Sequence, residues 1–281
     1  NVNTSSAEFN TEAYFKRIGY DGSQTASLET LKALHRLHPL AIPFENLNPF
    51  LGLDVKLDTK SLQQKLIHHQ RGGYCYEQNL CFRRALETLG FSVVGLEARV
   101  LWNVPQGIFL PRTHMLLRVD IGEATYLADV GFGGRTLTAP LKLELGQIQQ
   151  TPHEPYRLIQ DSDDFVLQIL LDEDWTGLYR FDLQKQWKID YEVKNWYTSS
   201  HPESKFVNNL LVARAAKNKR YTLKNNQLKI HHIEAHSECQ TLTSSQHLQD
   251  VLVNQFNIQP PRVKNLDEKL HEIVRSTENS E

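Results

Sequence analysis

Cys75 is the residue around which chemistry is most readily assembled in this chain. It stands in Arg71-Gly72-Gly73-Tyr74-Cys75-Tyr76-Glu77-Gln78-Asn79, where a glycine turn hands over to a segment with apolar residues at Phe82, Ala85, Leu86 and Leu89. That spacing is helical, and Gly90 supplies a stop. Cys75 is therefore expected at or near a helix N-terminus, where unpaired N–H groups and the positive end of the macrodipole favour an anion. Such a position suits a thiolate nucleophile. The dipole contributes only about 0.3–1 kcal/mol, whereas bringing a thiol from a pKa of about 8.5 to about 5.5 takes roughly 4 kcal/mol. A cationic partner is required.

His114 and Asp129 can supply it. Two strand-like runs, 113–120 and 123–130, flank Ile121-Gly122 and read as a hairpin. With a two-residue loop, Asp120 faces Glu123, and counting outward brings His114 opposite Asp129. Directly opposed residues hold their Cβ atoms about 4.5–5.5 Å apart, within reach of an imidazole–carboxylate hydrogen bond. Cys75 would be the nucleophile, His114 the base and Asp129 the group that fixes the imidazole tautomer. The plainer alternatives are a half-buried cysteine acting as a small hydrophobe and a strand histidine whose aspartate partner is structural. A one-residue register slip would also undo the pairing.

The elements that must position these residues change character along the chain. The first third is helical: Ser27 caps a segment with Leu28, Leu31, Leu34 and Leu37 on one stripe, and Thr59 precedes Leu62, Leu66 and Ile67. From Ser92 the period falls to two, with Val94, Leu96, Ala98, Val100 and Trp102 alternating, so a domain boundary is expected near Gly90. Runs at 156–160, 165–171 and 178–181, with a turn at 161–164, complete a small antiparallel barrel. In the last third, two runs pair around Asn225-Asn226, Ser245 opens a helix, Asn265 and Glu268 resemble a capping box, and the tail 276–281 is expected to fray.

Composition narrows the function. A chain of 281 residues with 40% hydrophobic and 23% charged residues matches a soluble globular protein. A net charge of -2 argues against a nucleic-acid partner, and no apolar run approaches bilayer length. The three cysteines form neither a disulfide framework nor a zinc knuckle, and residues 1–10 lack the apolar core of a signal peptide. A reducing, cytoplasmic setting follows as the expectation. Composition carries no signal of oligomeric state.

The same residues resemble the arylamine N-acetyltransferase family, in its bacterial form. The Arg71–Asn79 stretch is similar to the family's nucleophile motif, Pro111-Arg112-Thr113-His114 to its histidine segment, and Ala128-Asp129-Val130-Gly131-Phe132-Gly133-Gly134 to its aspartate segment. Ile42-Pro43-Phe44-Glu45-Asn46-Leu47, Thr151-Pro152-His153 and Asn195-Trp196-Tyr197 also fit, so the likeness covers nearly the whole chain. The resemblance implies an α+β fold: a helical bundle over 1–90 carrying the nucleophile, a β-barrel over 91–194 carrying His114 and Asp129, and an interdomain segment with an α/β lid over 195–281. The first two would form a cysteine-protease-like core. It implies ping-pong transfer of acetyl from acetyl-CoA, through an acetyl-cysteine, to arylamines, arylhydrazines or N-arylhydroxylamines, with no metal.

Further roles follow from the resemblance. It implies that Glu45 and Arg71 form a buried ion pair propping the cysteine turn, where the residues alone also allow two solvated charges, that Phe132 walls the amine pocket, where it could otherwise be a core aromatic, and that Gly133 and Gly134 border the acyl and CoA site. Thr113, Trp196 and Phe206 lie along the CoA cleft. Lys217-Asn218-Lys219-Arg220 reads either as a phosphate contact or, more simply, as the solvated end of a hairpin. His68-His69 and the histidines of 231–236 are read as surface or satisfied groups rather than metal ligands, because neighbouring side chains diverge. Cys81 lies too far along the helix to resolve Cys75. The competing readings are a Cys-His-Asp hydrolase of papain or transglutaminase type and a catalytically silent CoA or aromatic-ligand binding protein.

Overall fold

The N-terminal helices bury the stripes their spacing predicts. In the computed structural model, which describes residues 8–233 and 235–278, α1 spans Thr11–Ile18 and α2 spans Leu28–Ala41. Ser27 caps α2, its side chain accepting the Thr30 N–H at 3.2 Å. Helix α1 was not read from sequence; Asn10 caps it and Gly19 ends it in the left-handed region. After the two-residue strand β1 (Phe44–Glu45) and α3 (Leu47–Phe50), α4 (Thr59–Leu62) runs into a π-helical turn, Gln63–His68. Its cap is Asp58, which accepts the Ser61 N–H at 2.9 Å, rather than Thr59. Helix α5 (Cys75–Thr88) then closes the bundle, and Gly90 follows with φ 89°.

The middle of the chain forms one antiparallel sheet. Its strands are β2 (Ser92–Val100), β3 (Arg112–Ile121), β4 (Ala124–Ala128), β5 (Leu141–Lys142), β6 (Tyr156–Asp161), β7 (Asp164–Leu171) and β8 (Asp174–Phe181), in the order β5-β4-β3-β2-β8-β7-β6. The sheet curls as a half-barrel. The segment after β5 meets the far edge strand through the isolated bridges Leu145–Leu158 and Gln149–Tyr156, and among the described residues no continuous ladder closes the sheet.

The β3–β4 hairpin corrects the expected register. Ile121 pairs with Ala124, so the loop is Gly122-Glu123 rather than Ile121-Gly122, and Asp120 faces Thr125. Gly122 takes the first loop position with φ 59°, where glycine has no Cβ penalty. The shift is two residues, which preserves the face. His114 and Asp129 therefore remain on one side of the sheet as diagonal neighbours instead of directly opposed ones. Alternation along β3 sends Met115, Leu117 and Val119 into the core shared with the helices, and Leu116 into the barrel core with Leu127.

Helix α6 (Lys188–Ser200), also unread from sequence, carries residues 194 and 195 at its middle and buries Tyr191, Asn195 and Thr198. It leads through α7 (Lys205–Asn208) to strands β9 (Leu211–Ala216), β10 (Lys219–Lys224), β11 (Gln227–His232) and β12 (Ser237–Thr241). These pair antiparallel with β1 at the sheet's other edge, so the last third of the chain is stitched to the first. Asn225-Asn226 forms the β10–β11 loop as expected, Asn225 with φ 55°. Helices α8 (Ser245–Asn254) and α9 (Leu266–Glu278) cover this sheet through Leu248, Leu252, Leu270 and Ile273. The Asn265 amide donates to the Leu51 carbonyl at 3.2 Å, which ties α9 to the bundle. The tail beyond residue 278, and residues 1–7 of the segment read as lacking a signal peptide, lie outside the described residues.

Candidate active site

Cys75 is the first residue of α5, reached through a turn that two glycines make possible. A Cβ on Gly72 would lie 1.8 Å from the Pro43 carbonyl oxygen, and one on Gly73 would lie 2.5 Å from a Glu77 carboxylate oxygen. The first helical bond runs from the Gln78 N–H to the Tyr74 carbonyl at 3.0 Å, which leaves the N–H groups of Cys75, Tyr76 and Glu77 outside the helical ladder. Glu77 accepts the Tyr74 N–H at 3.1 Å and pairs with Lys65 at 2.5 Å. Beneath the turn, Arg71 Nε donates to Glu45 at 2.8 Å, and its Nη2 donates to Asn48 at 2.9 Å. Glu45 also accepts the Leu47 N–H at 2.7 Å. Burial acts to raise the Glu45 carboxyl, but the charges of Arg71 and Lys65 hold it below its usual range.

His114 Nε2 lies 2.7 Å from Asp129 Oδ2. The Asp129 carboxylate is saturated: Oδ2 also accepts the Tyr179 hydroxyl at 2.9 Å, while Oδ1 accepts the Asn79 amide at 3.0 Å and the Gly131 N–H at 2.9 Å. An ionised carboxylate only accepts, so the proton between the pair sits on Nε2 and Nδ1 is the ring nitrogen left for Cys75. Burial opposes a charge on His114. The Asp129 charge, its hydrogen bond and the hydrogen bond with Cys75 outweigh that opposition and raise the imidazole to about 9. Asp129 is held low by the same pairing, against its burial. That upward shift favours the imidazolium, the cationic partner sought beside Cys75. The Cys75 sulfur lies 3.6 Å from the Thr113 carbonyl, which also accepts the Tyr76 hydroxyl at 2.7 Å.

Gly131 lets the aspartate segment pass close to Cys75. A Cβ there would meet Asn79 Nδ2 at 2.8 Å and Cys75 Cα at 2.9 Å. Phe132 stands edge-on to His114, ring centroids 5.0 Å apart, and 5.1 Å from Tyr179. Gly133 has φ 81° and faces the Phe44 ring, and Gly134 lies against Thr222 of the C-terminal sheet. Phe206 packs on Phe44 and Tyr74, at 6.2 and 5.5 Å. Of the residues read as bordering the site, Thr113 thus touches Cys75 and Phe132 touches His114, whereas Gly133, Gly134 and Phe206 meet Phe44, Thr222 and Tyr74. Trp196 is 70% exposed and lines a cavity of about 430 Å³ with Pro49, Leu53, Val55 and Val207.

Arg220 departs from its reading as part of a solvated hairpin end. It is fully buried, bidentate to Glu154 at 2.7 and 3.0 Å, and donates to the Tyr156 hydroxyl at 3.2 Å, which locks the C-terminal sheet to the barrel. Cys81 is also buried, and its thiol is pushed up to about 12. Among the described residues no cluster of three metal-ligating side chains occurs, and no helix is long and apolar enough to cross a membrane. Glu234, part of the histidine-rich run, lies outside them. Sequence reasoning assigned no role to Asn79 or Tyr179. Asn79 follows Cys75 by four residues, one helical turn along the same face, and that spacing was legible. Tyr179 arrives from a distant strand with no local signal.

Residues 27–264 match the family described as N-acetyltransferase. The chain is 43% identical to an arylamine N-acetyltransferase of Mycolicibacterium smegmatis over 87% of its own length and 90% of the relative's. It is 46% identical to that of Escherichia coli strain K12 over 72% and 71%. The solved structure of Mycobacterium marinum arylamine N-acetyltransferase in complex with CoA superposes with a TM-score of 0.90 at 37% identity, covering 94% of this chain and 99% of that one. A cysteine at a helix N-terminus, an aspartate-held histidine and this extent of likeness converge: the chain belongs to the arylamine N-acetyltransferase family.

Proposed function

We propose that this enzyme transfers acetyl from acetyl-CoA to the nitrogen of arylamines, arylhydrazines or N-arylhydroxylamines by a ping-pong route through acetyl-Cys75. The observation that carries the reading is the thiol, imidazolium and saturated carboxylate linked in sequence at the start of α5. The Cys75 thiolate attacks the thioester carbonyl, and the sulfur of CoA leaves with the proton of His114. The amine then attacks acetyl-Cys75, His114 takes the amine's proton, and collapse of the tetrahedral intermediate restores thiolate and imidazolium. Thiol-for-thiol exchange is nearly balanced, so the acyl group stays reactive enough for a weakly basic aromatic amine. The N–H groups of Cys75 and its neighbours at the helix terminus supply the oxyanion donors.

In this reading Phe132 walls the amine pocket, and Thr113, Gly133, Gly134 and Phe206 border CoA, with Trp196 farther out. Glu45 and Arg71 prop the nucleophile turn. Residues 1–90 and 91–194 act as a cysteine-protease-like core, with 195–281 as interdomain segment and lid. The cytoplasm is the setting that keeps such a thiol reduced.

The test is intact-mass measurement after incubation with acetyl-CoA. An acetyl adduct on Cys75 that an arylamine discharges as N-acetyl product supports transfer. An adduct lost to water at the same rate with or without amine indicates a hydrolase, and CoA binding without any adduct in folded protein indicates a silent binder.

A further inference from the structure

Helix α2 carries two buried histidines that the acetyl transfer does not use. His35 and His38 are three residues apart, hence on one face, and both meet the ring of Phe82 edge-on at 5.5 and 5.4 Å. They bond to different partners. His35 Nε2 accepts the Asp129 N–H at 3.0 Å. Asp129 follows the last residue of β4, so no strand partner is present for that N–H. His38 receives the Tyr14 hydroxyl at Nδ1 at 2.9 Å and donates from Nε2 to Gln78 Oε1 at 2.6 Å. The Gln78 amide in turn donates to the carbonyls of Pro43 at 2.7 Å and Gly73 at 3.2 Å. Because that amide nitrogen meets only carbonyls, its oxygen must face His38, so the two histidines hold opposite tautomers.

We infer that His35 and His38 are positioning residues: His35 fixes the main chain of Asp129, and His38, through Gln78, fixes the Gly73 turn that delivers Cys75. One face of one helix thereby sets both the nucleophile and the aspartate relative to His114. His35 must be neutral to accept that N–H, and burial favours the neutral form of both rings, lowering His35 to about 4 and His38 to about 3. A displacement of about 1 Å at either end is of the size that costs on the order of a hundredfold in rate. The inference rests on the acetyl-cysteine reading, and wild-type acetylation checks that reading separately.

The experiment combines single-turnover acetylation of Cys75 with NMR titration of His114 in 15N-histidine-labelled protein, the resonance assigned by its loss in His114→Asn. In His35→Ala the acetylation rate falls tenfold or more and the His114 midpoint drops by about one unit. His35→Gln, which restores an acceptor, returns both to near wild type. His38→Phe slows acetylation without moving the His114 midpoint, because it acts on the cysteine turn. Leu34→Ala, an apolar core change on the same helix, lowers thermal stability and leaves both readouts in place. If His35→Ala does not fold, His35→Met fills the site without a side-chain nitrogen acceptor and carries the same expectation. A folded His35 variant with a rate within twofold of wild type and an unmoved midpoint overturns the inference, as does a Leu34→Ala variant that shows the same two losses. Wild-type enzyme that never acetylates overturns the acetyl-cysteine reading instead.

Discussion

Replacing Asp129 by Asn tests the proposed triad at its most constrained residue. The carboxylate accepts from four donors, two on each oxygen. An amide cannot reproduce this. If its oxygen keeps Asn79 and the Gly131 N–H, its NH2 faces His114 Nε2 and selects the tautomer protonated on Nδ1, which cannot take a proton from Cys75. If it flips, its NH2 meets two donors in a buried site. The charge is lost in either case. His114 stands at about 9 against an ordinary value of 6.5, so the aspartate and thiol outweigh the opposing burial by a net of about 3 kcal/mol. Loss of the Asp129 share and of the correct tautomer is expected to lower single-turnover acetylation by a factor of about 10²–10⁴. Rapid quench with intact-mass detection measures the rate, and circular dichroism establishes that the variant is folded. An Asp129→Asn enzyme that acetylates within threefold of wild type would refute the tautomer argument.

Other parts of the site give sharper stability expectations. Glu45→Gln leaves the buried Arg71 guanidinium without its countercharge and is expected to cost about 3–5 kcal/mol; a change below about 1 kcal/mol in urea unfolding would exclude a structural role for the pair. Gly72→Ala drives a Cβ to 1.8 Å from the Pro43 oxygen and should cost about 3 kcal/mol or more, so a variant with wild-type unfolding midpoint contradicts the turn geometry. The buried histidines give an acid dependence. With folded pKa values of about 4 for His35 and about 3 for His38, below the unfolded 6.5, their contribution is intact above pH 6.5 and lost as pH falls toward 3. The slope is up to about 1.4 kcal/mol per pH unit each. His35→Gln should flatten the stability curve between pH 6 and 4, and an unchanged slope would rule out His35 as a contributor.

The hairpin shows how a correct relation can follow from an inexact count. The loop was placed one residue early, which moved the register by two, and a shift of two keeps every side chain on its face. His114 and Asp129 thus stayed neighbours, but as a diagonal pair joined by the reach of the imidazole. The α5 N-terminus, the α2 cap at Ser27 and the Asn225-Asn226 loop were legible because each depends on local spacing or on one side chain bonding its own backbone. Helices α1 and α6 were not read. Helix α6 buries Tyr191, Asn195 and Thr198 while exposing Trp196, so its apolar residues mark no single stripe.

Local chemistry in the sequence determined that a cysteine would sit at a helix start, that a histidine and an aspartate would share one face of a hairpin, and, by likeness of several ordered motifs, which family the chain belongs to. Tertiary structure alone decided what surrounds them. Tyr179 reaches Asp129 from β8 and His35 reaches it from α2. The Gly72 turn rests on Pro43, and Arg220 is buried against Glu154. Each of these contacts joins residues tens of positions apart, and no spacing rule encodes such a contact. It exists only because burying three separate apolar cores brings the helices, the curled sheet and the C-terminal sheet against one another.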